Sequence, residues 1–477
     1  GGRERALCPP NTHTHQPPVS PPSFPGTPST DAAARARGPR PRRRAQFCPS
    51  TGLPCDCGRA GSAGPSDVAP GGAAGRAAKL GAARGEPIFP PELRKRRVEE
   101  LVIPGPAATW MRPTSLESLL DMKARHTDAK VVVGNTEVGI EMKFKAMRYP
   151  VLIGAAHVPE LSAVEVAEGG VAFGASMTLT ELMEACESLV ASRPKHETSC
   201  LAAIASQLHW FAGVQIRNTA CIGGNIATAS PISDLNPLWM AGGAVFTLAG
   251  KGTGERRVPA SEFFLGYRKV DMKPHEVIKS VFLPFTREHE FVREFKQAHR
   301  REDDIAIVTS GMRVRLEPRG GGEWEIAEMA VAFGGVAPKT VMAERTCARL
   351  VGKPLTPETL REGLGAVLED VQMAPNAPGG MVEFRRSLAA SFLFKFLVHA
   401  SFELQEQVSA VGLEAFASPF PEEYRSAAAV FDRPAARGAQ FYFQGEPGAV
   451  VGEPRRHMAS DLQVCGEAKY VGDVELP

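Results

Sequence analysis

The chain has 477 residues, of which 43% are hydrophobic and 23% charged, and carries a formal net charge of +2. That length allows two or three domains with a sizeable core, and the near-neutral balance gives no overall field for nucleic acid or an acidic membrane surface. Nine cysteines are too thinly spread for a secreted disulfide framework, and no run of about eighteen apolar residues argues for a membrane span, so a reducing compartment is expected.

Residues 1–85 are rich in Pro, Gly, Ala and Arg, a composition that cannot bury enough apolar surface to offset chain entropy, and disorder is predicted. The cluster Arg35, Arg37, Arg40, Arg42, Arg43 and Arg44 reads as a solvated basic tail. Cys48, Cys55 and Cys57 lie in Pro/Gly-rich chain without folded surroundings, so no metal or iron–sulfur site is expected there.

From Glu86 the texture becomes globular. A helix over 115–124 leads to the β-branched run VVVGNTEVG at 131–139, which breaks at Gly134 into a short polar turn. Residues 163–166 and 171–174 read as a hairpin, and Thr178 with Glu181 as a capping box for the following helix. Leu201, Ile204, Leu208 and Phe211 recur at helical spacing, so a helix should end near Ala212, delivering a loop with Gly223, Gly224, Asn225, Ser230, Ser233 and Asp234.

Paired glycines let a backbone approach a bulky anion and aim successive N–H groups at it. The same pair also suits an ordinary tight turn. Two such turns, one after Val133 and one after Ala220, could hold the two phosphates of a dinucleotide between them. Neither is a G-x-G-x-x-G or G-x-x-x-x-G-K-[ST] sequence, so Rossmann and P-loop readings lack their fingerprint.

Strands are expected over 245–249, 256–258 and 276–283, and neighbouring strands look joined mostly by turns, which makes the class α+β. A boundary falls near 284–290. Beyond it, strands at 305–316 and 325–333 flank a glycine-bearing hairpin tip, and helices follow at 357–371 and 384–407. Phe384, Leu388, Phe392 and Phe396 recur at helical spacing and are assigned to the core.

The stretches VVVGNTEVGIEMKFK (131–145), WFAGVQIRNTACIGGNIATASPISDLNP (210–237), FKQAHRREDDIAIVTSGMRV (295–314) and PNAPGGMVEFRRSLAASFLFKF (375–396) closely resemble the flavin-binding region of the xanthine dehydrogenases, in the molybdenum hydroxylase family. The resemblance runs from about Glu86 to the last residue. It implies an FAD-binding domain of the para-cresol methylhydroxylase type at 86–287, then a smaller α+β domain at 291–408 like the C-terminal domain of carbon monoxide dehydrogenase flavoprotein. Residues 409–477 are expected to be a linker and the truncated start of a molybdenum-binding domain.

Carried over position by position, the resemblance implies FAD contacts at Val131, Val132, Val133, Gly134, Asn135, Thr136, Glu137 and Val138, at Cys221, Ile222, Gly223, Gly224 and Asn225, and at Phe211, Asp234, Ile278 and Lys296. Phe211 would pack on a flat ring, Asp234 accept from ribose or adenine, and Lys296 offset charge. Ile278 suits an ordinary strand core equally well. Cys221 stands where relatives commonly carry a small hydroxyl residue.

Arg301, Asp303 and Asp304 fall in a charged loop that composition alone would leave solvated. In xanthine dehydrogenases the equivalent loop governs NAD approach, whereas aldehyde oxidases lack the acidic pair. The resemblance therefore implies electron transfer through FAD to NAD or oxygen, a homodimer, and a cytoplasmic or peroxisomal location, with no nucleic acid or membrane partner. Purine hydroxylation to urate would need the molybdopterin and [2Fe–2S] sites of the full family enzyme, which these residues do not supply. The alternatives are an aldehyde oxidase fragment and an inactive truncated product.

Overall fold

A computed structural model describes residues 90–300, 303–410, 416–429 and 455–474. The basic cluster and Cys48, Cys55 and Cys57 lie outside the described residues. Pro87–Ala435 is one compact unit, treated below. In the other unit, the described stretch carries the short helix Ser460–Val464.

The first sheet of the main unit has the order β1 (Leu101–Pro104), β2 (Thr109–Arg112), β4 (Val151–Gly154), β3 (Lys130–Val132). Here β4 pairs parallel with both β2 and β3. Parallel partners need crossovers, and the helices Leu116–Arg125 and Val138–Phe144 supply them. The expectation of turn-joined strands thus fails in this sheet, because the second crossover helix starts inside the run read as strand and turn.

A five-stranded antiparallel sheet follows, built from β5 (Val164–Ala167), β6 (Gly170–Gly174), β7 (Val245–Gly250), β8 (Gly254–Pro259) and the long β11 (Glu276–Pro284) in the order β5-β6-β11-β7-β8. Two short strands, β9 (Phe264–Gly266) and β10 (Lys269–Val270), make a separate hairpin. The helix Leu179–Ser192 begins with the expected capping box, in which the Thr178 N–H donates to Glu181 Oε2 at 2.7 Å and the Glu181 N–H to Thr178 Oγ1 at 3.2 Å. This helix and Ser199–His209 bury Leu182, Leu201, Ile204 and Leu208 against the sheet. The second helix stops at His209, and Ala212 takes a left-handed φ of 44°.

The last sheet, β12 (Glu290–Ala298), β13 (Ala306–Gly320), β14 (Glu323–Gly334) and β15 (Val341–Met342), is a meander with a core of its own. Gly320, Gly321 and Gly322 all have positive φ at the β13–β14 tip, which explains three successive residues without a Cβ. The helix Val382–Ala410 is long and apolar enough to cross a bilayer, yet it buries Leu393, Phe396, Leu397 and Leu404 completely within this core. Phe384 is the exception to its expected stripe, being 45% exposed because it sits in the first turn, before the helix reaches the core.

The two domains meet tightly. A Cβ on Gly311 of β13 would overlap the Pro237 carbonyl, and Thr309 Oγ1 donates to the Ser233 carbonyl at 3.0 Å. The loop that carries Ser233 and Asp234 is thereby pinned against β13 of the last sheet.

Candidate functional site

Strand β3 ends in a turn whose Asn135 is left-handed at φ 57°. Gly134 lies flat on the 219–220 backbone: an added Cβ would overlap the Thr219 carbonyl oxygen and stand 2.9 Å from the Ala220 nitrogen. Only glycine permits that approach. Past it, the N–H groups of Asn135, Thr136 and Glu137 find no hydrogen-bond acceptor among the described residues. Successive unspent N–H groups around a left-handed residue form a concavity suited to an anion.

The second turn behaves differently from expectation. The Ile222 N–H donates to Met177 O at 3.0 Å, Gly223 to Ala175 O at 2.7 Å, and Gly224 to Cys221 Sγ at 3.2 Å. Its donors are spent internally, and Gly223 is small because a Cβ would stand 3.0 Å from the Ala175 Cβ. Cys221 is the N-cap of the helix Ile222–Thr228, and burial pushes its thiol up to about 11, so it remains neutral. The free donors therefore belong to the first turn, while the second forms a rigid floor.

Between them opens a cleft of about 490 Å³, within the range of about 300–1,000 Å³ typical of small-molecule sites. All of Val131, Val132, Val133, Gly134, Asn135, Thr136, Glu137 and Val138 line it, as do Phe211, Cys221, Gly224 and Asn225. Ile222 and Gly223 do not. Ile222 is fully buried in the core, and Ile278 joins the same cluster at 7% exposure.

Asp234 and Lys296 come together elsewhere. Lys296 Nζ lies 2.8 Å from Asp234 Oδ1, both side chains are nearly buried, and Gln207 Nε2 donates to the same oxygen at 2.8 Å. Burial raises the Asp234 carboxyl above its ordinary range, against the pull of Lys296. Asp234 is thus committed to a lysine and an amide and does not line the cleft. Lys296 also donates to the Trp210 carbonyl at 3.0 Å and borders a second cavity of about 430 Å³ with Gln207, Glu294 and His299.

In the charged loop, Arg301 lies outside the described residues. Asp304 accepts from the Arg300 N–H at 2.7 Å and the Ile305 N–H at 2.8 Å, and the first of these bonds leads in holding its carboxyl below the ordinary range. Asp303, at φ 50°, has its carbonyl bound by Arg300 and its side chain exposed. Asp304 closes the loop, and Asp303 is the acid that faces outward.

Among the cleft residues that the sequence did not mark are the charged Lys130, Glu141 and Arg268 and the phenol of Tyr149. Glu141 is 5% exposed and accepts from the Tyr149 hydroxyl at 2.7 Å. Arg268 bridges Glu137 at 2.8 Å and Glu141 at 3.2 Å, while Lys130 lies 3.6 Å from Glu141. No periodicity marks Arg268, which sits in the turn between β9 and β10 and reads as an ordinary solvated residue.

Residues 106–286 match the family model of the FAD binding domain in molybdopterin dehydrogenase, and residues 293–400 that of the CO dehydrogenase flavoprotein C-terminal domain. The chain is 46% identical over 445 residues to xanthine dehydrogenase 1 of Arabidopsis thaliana, covering 90% of this chain and 32% of that protein. It is 43% identical over 397 residues to xanthine dehydrogenase/oxidase of Gallus gallus, covering 82% and 29%. The chain thus spans about a third of the length of the curated relatives it matches. Among solved structures, a carbon monoxide dehydrogenase chain from Hydrogenophaga pseudoflava superposes with a TM-score of 0.54 at 25% identity, over 61% of this chain and 96% of that one. Quinoline 2-oxidoreductase from Pseudomonas putida shares the fold, with a TM-score of 0.54 at 23% identity over 62% and 97%.

Proposed function

Starting from a chain that belongs to the molybdenum hydroxylase family as its FAD-dependent flavoprotein region, we propose that it is the flavin electron-transfer segment of a xanthine dehydrogenase-type enzyme, delivering electrons to NAD or oxygen. The observation that carries this reading is the cleft between the 134–138 turn and the 219–225 floor. The residues present fit the cofactor: free N–H groups for a diphosphate, a half-buried Phe211 for a flat ring, and a close Gly134–Thr219 backbone contact that builds the wall between them. FAD, when bound, supplies the redox chemistry.

The chain's own residues hold and shield. Asn135, Thr136 and Glu137 offer backbone donors. Gly134 keeps the two walls in register, and the neutral Cys221 thiol caps the floor helix. Asp303 sets the charge of the outward loop, which supports NAD use over an aldehyde oxidase-like preference for oxygen. Hypoxanthine and xanthine as substrates, a dimer and a cytoplasmic location belong to the same proposal and concern the longer enzymes.

The test is anaerobic addition of NADH to the FAD-loaded chain. Bleaching of the flavin absorption is expected, with no urate formed from xanthine by these residues alone. Flavin that stays oxidised under NADH yet is reduced by dithionite would favour the aldehyde oxidase reading, and urate production would overturn the division of labour.

A further inference from the structure

The charged residues lining the cleft are two carboxylates, Glu137 and Glu141, and two cations, Lys130 and Arg268. An anion site walled by two carboxylates is unexpected, because each disfavours a diphosphate at close range. Arg268 touches both, with Nη2 2.8 Å from Glu137 Oε1 and Nη1 3.2 Å from Glu141 Oε1. Lys130 reaches only Glu141, 3.6 Å from the Oε2 that Arg268 does not touch, and Tyr149 donates to that same Oε2. Arg268 is held at this spot by a left-handed backbone, φ 52°, that a residue with a Cβ adopts at a cost.

Resting on the FAD reading above, we propose that Arg268 is the charge-setting residue of the nucleotide site: by neutralising Glu137 and Glu141 it makes the cleft accept a dinucleotide diphosphate. Without it Glu137 keeps only the half-exposed Lys145 at 3.6 Å and Glu141 only Lys130 at 3.6 Å, so both carboxylates are left on long, solvent-screened pairs and act against an anion in the cleft. With it, one cation lies in ion-pair contact with both acids, donating a hydrogen bond to Glu141 and standing 2.8 Å from the Glu137 oxygen.

Flavin fluorescence quenching gives the dissociation constant of FAD for the purified chain and its variants, with circular dichroism confirming the fold. For R268Q, FAD binding at least about tenfold weaker is expected, the gap narrowing between about 0.05 M and about 0.5 M salt. R268K keeps the charge and should stay within about threefold of the unmodified chain, and E137Q/R268Q should recover most of the loss. E137Q alone should bind FAD at least as tightly as the unmodified chain, which decides the matter if R268Q fails to fold. Equal affinity in R268Q, a salt-independent loss, or weaker binding in E137Q would each overturn the proposal. An unmodified, folded chain that binds no FAD would instead overturn the functional reading beneath it.

Discussion

Gly134 and Thr219, far apart in sequence, meet backbone to backbone, so closely that a Cβ on the first would overlap the carbonyl oxygen of the second. This contact brings the turn after β3 onto the floor before the Ile222–Thr228 helix and creates the cleft wall. Replacing Gly134 with alanine should force the segments apart, cost about 1–3 kcal/mol as an overpacked contact, and abolish flavin retention. A thermal melt and the flavin-to-protein absorbance ratio of G134A check both effects.

Cys221 caps the floor helix through sulfur, a weaker acceptor than oxygen, at 3.2 Å from the Gly224 nitrogen. Serine is among the preferred N-caps, so C221S should stabilise the chain by about 0.5–1 kcal/mol and tighten FAD binding modestly. Because the thiol is buried and neutral, maleimide labelling of Cys221 in the folded chain should be negligible.

The Asp234–Lys296 pair is buried on both sides. Removing one partner from such a pair costs about 3–5 kcal/mol, because the other charge is stranded. The two halves should not be equivalent. Burial already raises the Asp234 carboxyl toward its neutral form, so K296M lets it take up a proton, whereas D234A leaves an ammonium facing the Trp210 carbonyl. Urea unfolding should therefore show D234A as the more damaging change.

Across β13, Arg315 pairs with Glu328, which also receives Arg287, and hydrogen bonding from Arg287 leads in bringing the Glu328 carboxyl down to about 2. A depressed carboxylate contributes stability that is complete above its ordinary value of 4.5 and is lost as pH falls through about 2. Since Glu328 is 37% exposed, solvent screening holds its share to about 1 kcal/mol. Melting temperatures followed downward from about pH 5 should fall less steeply for E328Q than for the unmodified chain.

What the sequence disclosed was chiefly local. Gly134 and Asn135 announced a turn, Thr178 and Glu181 a helix start, and the three glycines at 320–322 a hairpin tip, because each signal resides in neighbouring residues. The 223–224 pair announced a turn equally well, but whether its N–H groups face a ligand or Ala175 depends on a strand remote in sequence. Asp234 and Lys296 looked like ligand contacts singly, and only the fold shows them satisfying each other. Arg268 was illegible for the same reason. Its meaning comes from Glu137 and Glu141, which reach it across the unit.

The most direct measurement is the visible absorption of the purified, folded chain after incubation with FAD and removal of excess. Bound-flavin bands at about one FAD per chain, absent in G134A, are the predicted result. A folded chain that remains colourless, or a G134A variant that retains flavin as well as its parent, would contradict a cofactor cleft at the meeting of Gly134 and Thr219.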